Sequence, residues 1–167
     1  MFSFLVHGEG NPLPTLLTLN PFRRSRGDEV LVAEGENEAV MGPLVDHVVP
    51  DAGAGPVELA RHAWGRVLVF VPVGTFAPED LGELLSRAAE QASWGFFRRR
   101  PTSSWSYPRL FWNNHLARRS ARWFNTRVWF LRREEVGRWS RQEAPGSREL
   151  RRLLGPPARI TVGLEGS

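Results

Sequence analysis

The chain has 167 residues, of which 41% are hydrophobic and 24% charged. This is enough to bury one sizeable apolar core, and it argues against a disordered polypeptide. There is no cysteine, which excludes disulfides, thiol catalysis and cysteine-ligated metal sites. No apolar run reaches the length of about 18 residues that a membrane-spanning helix needs, and the N-terminus lacks the basic region of a signal peptide. We therefore expect a soluble, cytoplasmic protein.

The net charge of +4 is divided unevenly along the chain. Residues 1–93 hold 6 Arg and 13 acidic residues, whereas residues 94–167 hold 16 Arg and 5 Glu. All 22 basic residues are arginine. A basic half of this kind predicts an anionic partner, either a nucleic acid or an acidic protein surface. Alternatively, the acidic half of the same chain, or of a second copy in a homo-oligomer, neutralises the arginines.

The elements of the acidic half follow from its apolar pattern. Residues 2–7 and 29–34 are predicted strands, and the apolar run 13–20 fits either a strand or a helix. Arg23, Arg24 and Arg26 are expected in a small basic turn. Residues 56–64 are expected to form a short helix.

The clearest strand and the clearest helix follow each other directly. Residues 66–73 form a near-continuous apolar run, which is typical of a strand covered on both faces. Pro78 and the acidic residues after it favour a helix start, and leucines and alanines make one apolar stripe up to residue 92. Arg98, Arg99 and Arg100 are then expected at or just after the helix C-terminus, where the helix dipole favours cations.

Asp46 and His47 open the fragment Asp-His-Val-Val-Pro, which resembles the Asp-His-x-x-Pro opening of HNH-type nucleases. The resemblance implies that His47 acts as a general base on water, beside an acidic residue that helps to hold a divalent metal. It also implies an Asn and a second His within a few tens of residues, on a β-β-α unit. The only Asn-His pair in this chain is Asn114-His115, and His115 comes 68 residues after His47.

Residues 94–141 contain six of the seven tryptophans and twelve of the arginines. A loop over 102–108 carries aromatic side chains among serines, and residues 110–124 are predicted to form a helix with one basic stripe. Arginines neutralise phosphates while aromatic rings stack on bases, so this pattern favours nucleic-acid binding. The candidate nucleic-acid-binding residues are Arg98, Arg99, Arg100, Trp105, Tyr107, Trp112, His115, Arg118, Arg119, Arg122, Arg127 and Arg133.

Residues 126–133 and 158–164 are the last predicted strands, and residues 147–154 the last predicted helix. The expected fold is a single compact mixed domain over 1–167, α/β or α+β, with about five or six strands and three or four helices.

Three functions remain open: a non-catalytic nucleic-acid-binding protein, a structural or adaptor subunit of a larger assembly, and a metal-dependent HNH-like nuclease. The nucleic-acid-binding protein is the leading expectation. The sequence itself assigns no catalytic residue, no metal ligand and no cofactor.

Overall fold

The computed structural model describes residues 1–33, 42–50, 56–99, 127–138 and 147–162. These residues form seven strands and four α-helices. The strands are β1 (Phe2–His7), β2 (Glu29–Ala33), β3 (His47–Val49), β4 (Val67–Pro72), β5 (Trp94–Arg99), β6 (Trp129–Arg132) and β7 (Ala158–Val162). The helices are α1 (Leu13–Arg26), α2 (Pro56–His62), α3 (Leu81–Gln91) and α4 (Ser147–Leu154), and short 3-10 helices cover Gly42–Leu44 and Arg133–Arg138.

All seven strands join one sheet in the order β3-β2-β1-β4-β6-β5-β7. β1 is parallel to β2 and β4, β2 is parallel to β3, and β5 is parallel to β7, whereas β6 is antiparallel to both β4 and β5. Every strand except β6 therefore runs in the same direction. We call the edge of the sheet where these six strands end the carboxyl edge, and the opposite edge the amino edge.

Helices cover both faces of the sheet. Side chains of α1 and α3, such as Leu16 and Leu85, pack with Phe4 on one face. Side chains of α2 and α4, such as Leu59 and Leu150, belong to the cluster on the other face. Burial on both faces explains why the central strands are apolar at nearly every position. The fold is thus a mixed α/β domain, as the sequence predicts, with seven strands instead of five or six.

Residues 13–20, for which the sequence allows either a strand or a helix, form a helix. The prediction of a basic turn after them is wrong. α1 continues through Pro21 to Arg26, so the three arginines belong to its last turns. Gly27 ends the helix in the left-handed conformation, with φ of 65°. Cations near a helix C-terminus interact favourably with the helix dipole, which fits their position.

The expectation that Arg98 and Arg99 follow a helix C-terminus is also wrong. α3 ends at Gln91, Ala92 is extended, and the chain enters β5 at Trp94. Trp94 and Phe96 are buried on one face of the sheet. The apolar run before the arginines is therefore a strand of the core, and the arginines lie at its end.

The other predicted elements in the described residues are confirmed within a few residues at each end. The predicted loop over 102–108 and the predicted helix over 110–124 lie outside the described residues. In the part of the chain that is described, no helix is both long and apolar enough to cross a bilayer.

β5 lies so close to its neighbours that residue 95 has to be glycine. A methyl group on Gly95 would lie 2.5 Å from the carbonyl oxygen of Ala158 and 2.5 Å from Cε1 of Phe130. We predict that Gly95→Ala lowers the free energy of unfolding by about 1–3 kcal/mol, because either the strand or the ring must move. Urea denaturation followed by circular dichroism measures this loss.

Gly137→Ala is the matched control, because a methyl group at Gly137 meets nothing within 4 Å. Equal stability of the two variants would contradict the close packing at β5.

Candidate ligand site at the carboxyl edge

The chain reverses its direction of travel across the sheet at β1. From β1 it passes through α1 to β2 and on to β3, and then returns to β4 on the other side of β1. In open α/β sheets, ligands bind beyond the carboxyl ends of the strands at such a reversal. The loops that follow β1 and β4 therefore form the first place to look for a site.

The loop after β1 depends on two glycines. Gly8 and Gly10 both have φ of 109°, a conformation that L side chains rarely adopt. A methyl group on Gly10 would touch Cγ1 of Val73 at 3.6 Å, so this loop lies directly against the loop after β4. The sequence His7-Gly-Glu-Gly-Asn11 is thus a Gly-x-Gly turn between a central parallel strand and the helix that follows it.

The loop after β4 is held in place by hydrogen bonds. The N–H of Val73 donates to the carbonyl oxygen of His7 at 2.9 Å, and the N–H of Gly74 donates to Oγ1 of Thr15 at 3.0 Å. Further along, the N–H of Ala77 donates to Oγ1 of Thr18 at 3.1 Å. β1, α1 and the loop after β4 are therefore joined into one pre-organised unit.

Two polar side chains of this unit have a buried atom without a hydrogen bond to the described residues, Asn20 in α1 and His7 at the carboxyl end of β1. His7 is buried, with 5% of its surface exposed, and its Nε2 makes no hydrogen bond with the described residues. Burial lowers the pKa of His7 from 6.5 to about 4, so the ring is neutral at pH 7. A neutral imidazole carries one donor and one acceptor. An unpaired nitrogen at a buried position calls for an explanation, and a ligand or water supplies one.

Three of the candidate arginines lie at the same edge as His7. Arg98 and Arg99 end β5, beside Thr161 and Val162 of β7. Arg127 comes two residues before β6, which begins at the carboxyl edge because it is antiparallel to its neighbours. The backbone of these three residues thus lies at the edge that carries the glycine loop.

Arg133, in contrast, lies at the amino edge. Its N–H donates to the carbonyl oxygen of Arg66, the residue before β4, at 2.8 Å. The four candidate arginines within the described residues are therefore divided between opposite edges of the sheet. The other candidates fall outside the described residues: Arg100, Trp105, Tyr107, Trp112, His115, Arg118, Arg119 and Arg122.

The sequence matches no protein-family model, and no curated protein is significantly similar to it. The interpretation of the carboxyl edge therefore rests on geometry. Sequence reasoning overlooked this site, although a signal was present: a Gly-x-Gly turn directly after the first strand and directly before a helix. The burial of His7 had no such signal.

The fragment that resembles a nuclease motif lies elsewhere, at the amino edge. The two carboxylate oxygens of Asp46 accept hydrogen bonds from Nε of Arg23 at 2.8 Å and from the N–H of Val30 at 2.9 Å. His47 begins β3, which pairs with β2 in parallel and not as a β-hairpin. Among the described residues, no group of three or more His, Asp or Glu side chains could hold a metal ion. Asp46 thus joins α1 and β2 to the start of β3.

The low pKa of His7 predicts a specific dependence of stability on pH. The unfolded chain takes up a proton near pH 6.5 and the folded chain only near pH 4, so stability is lost as the pH falls between these values. Between pH 7 and pH 4.5 the wild type should lose about 2 kcal/mol more than a His7→Gln variant. Urea denaturation at a series of pH values measures the difference.

His62→Gln provides the control, because His62 is exposed on α2 and the variant keeps His7. Between pH 7 and pH 4.5, His62→Gln should lose as much free energy of unfolding as the wild type does. A His7→Gln variant with the wild-type pH profile would contradict the assignment of this loss to His7.

Proposed function

We propose that the protein binds a phosphate-bearing small molecule of the nucleotide class at the carboxyl edge, between the loops that follow β1 and β4. The observation that carries the proposal is the buried Nε2 of His7, which has no partner beside a Gly-x-Gly turn at the reversal point of the sheet. The phosphate group of the ligand would be recognised by one part of this site, and its base or sugar by another.

The phosphate part of the ligand would be bound by the glycine loop and by arginine. The N–H groups of Glu9 and Gly10 form no hydrogen bond within the described residues, and both residues are exposed. The first turn of α1 offers fewer N–H donors to a phosphate, because Pro14 has no N–H and the N–H of Leu13 already donates to Oδ1 of Asn11 at 3.0 Å. Charge for the phosphate therefore comes from arginines at this edge, which bind phosphate with two hydrogen bonds.

His7 suits the uncharged part of the ligand. Its ring is neutral, and it shares its face of β1 with Leu5, whose side chain is in the apolar core. A neutral imidazole in such surroundings favours a hydroxyl or an amide-like group over a phosphate, since it brings no charge. A nucleotide or a nucleotide-linked sugar combines both kinds of group.

Isothermal titration calorimetry with nucleoside monophosphates, nucleoside diphosphates, nucleotide sugars and NAD tests the proposal. We expect at least one of them to bind with a dissociation constant below the millimolar range. Gly10→Ala should weaken that binding at least tenfold, because Ala is strained at a φ of 109° and the loop must change its shape.

Gly27→Ala is the matched control. Gly27 also has a positive φ, of 65°, but it lies at the end of α1, away from the carboxyl edge. It should keep full affinity although Ala is disfavoured at this positive φ as well. Absence of binding across the whole panel, or equal loss in both variants, would overturn the proposal.

Nucleic-acid binding by the basic half stays a second proposal, and one observation supports it. The ion pairs seen among the described residues join residues of the same half of the chain, for example Arg23 with Asp46 and Arg132 with Glu134. None of these pairs within the described residues joins an acidic residue of residues 1–93 to an arginine of residues 94–167. An adaptor role, in which an acidic partner protein covers the same arginines, is the remaining alternative.

Salt dependence distinguishes these two proposals. A protein that makes 6–10 phosphate contacts should lose roughly three to five decades of affinity for an oligonucleotide between about 50 and 200 mM salt. Fluorescence anisotropy measures this slope, and replacing Arg118, Arg119 and Arg122 by Ala should flatten it. No binding at low salt would refute the nucleic-acid proposal and favour a protein partner.

A further inference from the structure

The amino edge, opposite the proposed nucleotide site, carries an exposed aromatic pair. Trp64 follows α2 and has 70% of its surface exposed. Its ring lies next to that of His47, at the start of β3, with 5.8 Å between the ring centroids and 39° between the planes. A large ring that is exposed to this extent on a structured turn is available for stacking.

The turn that carries Trp64 is firmly fixed. The N–H groups of Trp64 and Gly65 both donate to Oε1 of the buried Glu29. Gly65 also lies against β1, where a methyl group would stand 2.7 Å from the backbone nitrogen of Ser3. The exposure of Trp64 is therefore built into the fold rather than left to a loose loop.

Exposed arginines lie at the same edge of the sheet as this ring. Arg24 and Trp64 line the same open depression of about 450 Å³. Arg66 follows two residues after Trp64, its N–H donates to the carbonyl oxygen of Met1, and its own carbonyl oxygen accepts from the N–H of Arg133. Within the described residues, none of these three arginines forms an ion pair. They are cations without a carboxylate partner there.

The carboxylates of the depression are occupied by other groups. Asp46 is bonded to Arg23 and to a backbone N–H. Asp28 accepts from the N–H of Phe2 at 2.7 Å, and Glu29 accepts from the backbone N–H groups described above. Asp28 and Glu29 are buried, and the one carboxylate of the depression that is exposed, Asp46, is paired with Arg23.

We infer that this amino-edge surface, made of Trp64, His47, Arg24, Arg66 and Arg133, binds single-stranded nucleic acid. A base would stack on the face of Trp64, and the arginines would contact the phosphates on either side. Aromatic rings next to cations are the usual means of binding single strands without sequence preference. The inference goes beyond the nucleotide site, since it concerns the opposite edge and shares no residue with it.

Fluorescence anisotropy with labelled dT12 and rU12 at about 50 mM salt tests the inference. Trp64→Ala should weaken binding roughly tenfold, the effect expected for the loss of one stacked base. Arg66→Ala should weaken binding and lower the slope of log affinity against log salt by about 1. Phe76→Ala is the matched aromatic control, because Phe76 is also 70% exposed but lies in the loop after β4. Arg152→Ala, on the exposed side of α4, is the matched control for charge.

The proposals for the two sites can be refuted independently of each other. Trp64→Ala should leave nucleotide binding intact, and Gly10→Ala should leave oligonucleotide binding intact. Wild-type affinity of Trp64→Ala for both oligonucleotides, or an equal loss in Phe76→Ala, would overturn the inference. So would binding of heparin as tight as that of dT12 and equally insensitive to Trp64→Ala, because it would show attraction by charge alone.

Discussion

A buried carboxylate joins the amino ends of three neighbouring parallel strands, β1, β2 and β4. Glu29 begins β2, and its Oε1 accepts from the hydroxyl of Ser3 in β1 and from the N–H groups of Trp64 and Gly65 just before β4. A buried charge is tolerable only with such donors, so the three strands must meet at this point. Once their amino ends are level, their carboxyl ends are level too, and the loops of β1 and β4 come into contact. The geometry around His7 therefore depends on a residue at the far edge of the sheet.

In the folded chain, the acidic and the basic residues are not simply separated into two halves. Acidic side chains at the starts of β2 and β3 bind backbone N–H groups, which makes them structural. Arginines of the basic half are distributed by the direction of their strands: Arg127 lies before β6 at one edge, and Arg133 lies after it at the other. Arginines therefore occur at both edges, but beside different groups. At the carboxyl edge these groups are the glycine loop and His7, and at the amino edge the group is the ring of Trp64.

Strong apolar runs made most of the fold predictable, and the strand over 66–73 is the clearest case. Two local predictions are wrong. The sequence predicts a turn for three arginines although α1 runs to Arg26, and it predicts a helix end for the arginines after Phe97 although they end a core strand. The site was less predictable, because the burial of His7 depends on long-range packing. Arg127 and Arg133 are only six residues apart in sequence, and only the antiparallel direction of β6 separates them. No pattern of charges reveals such a separation.

The pairing of β5 with β6 holds together the two ends of the chain segment that connects them. Arg99 and Arg127 lie at the same edge on neighbouring strands, which are joined there by the hydrogen bond from the N–H of Phe97 to the carbonyl oxygen of Val128. When the two ends of a connection are fixed this close together, doubling its length costs only about 0.6 kcal/mol in chain entropy. In terms of closure entropy, the length of the chain between these residues therefore matters little to the pairing of β5 with β6.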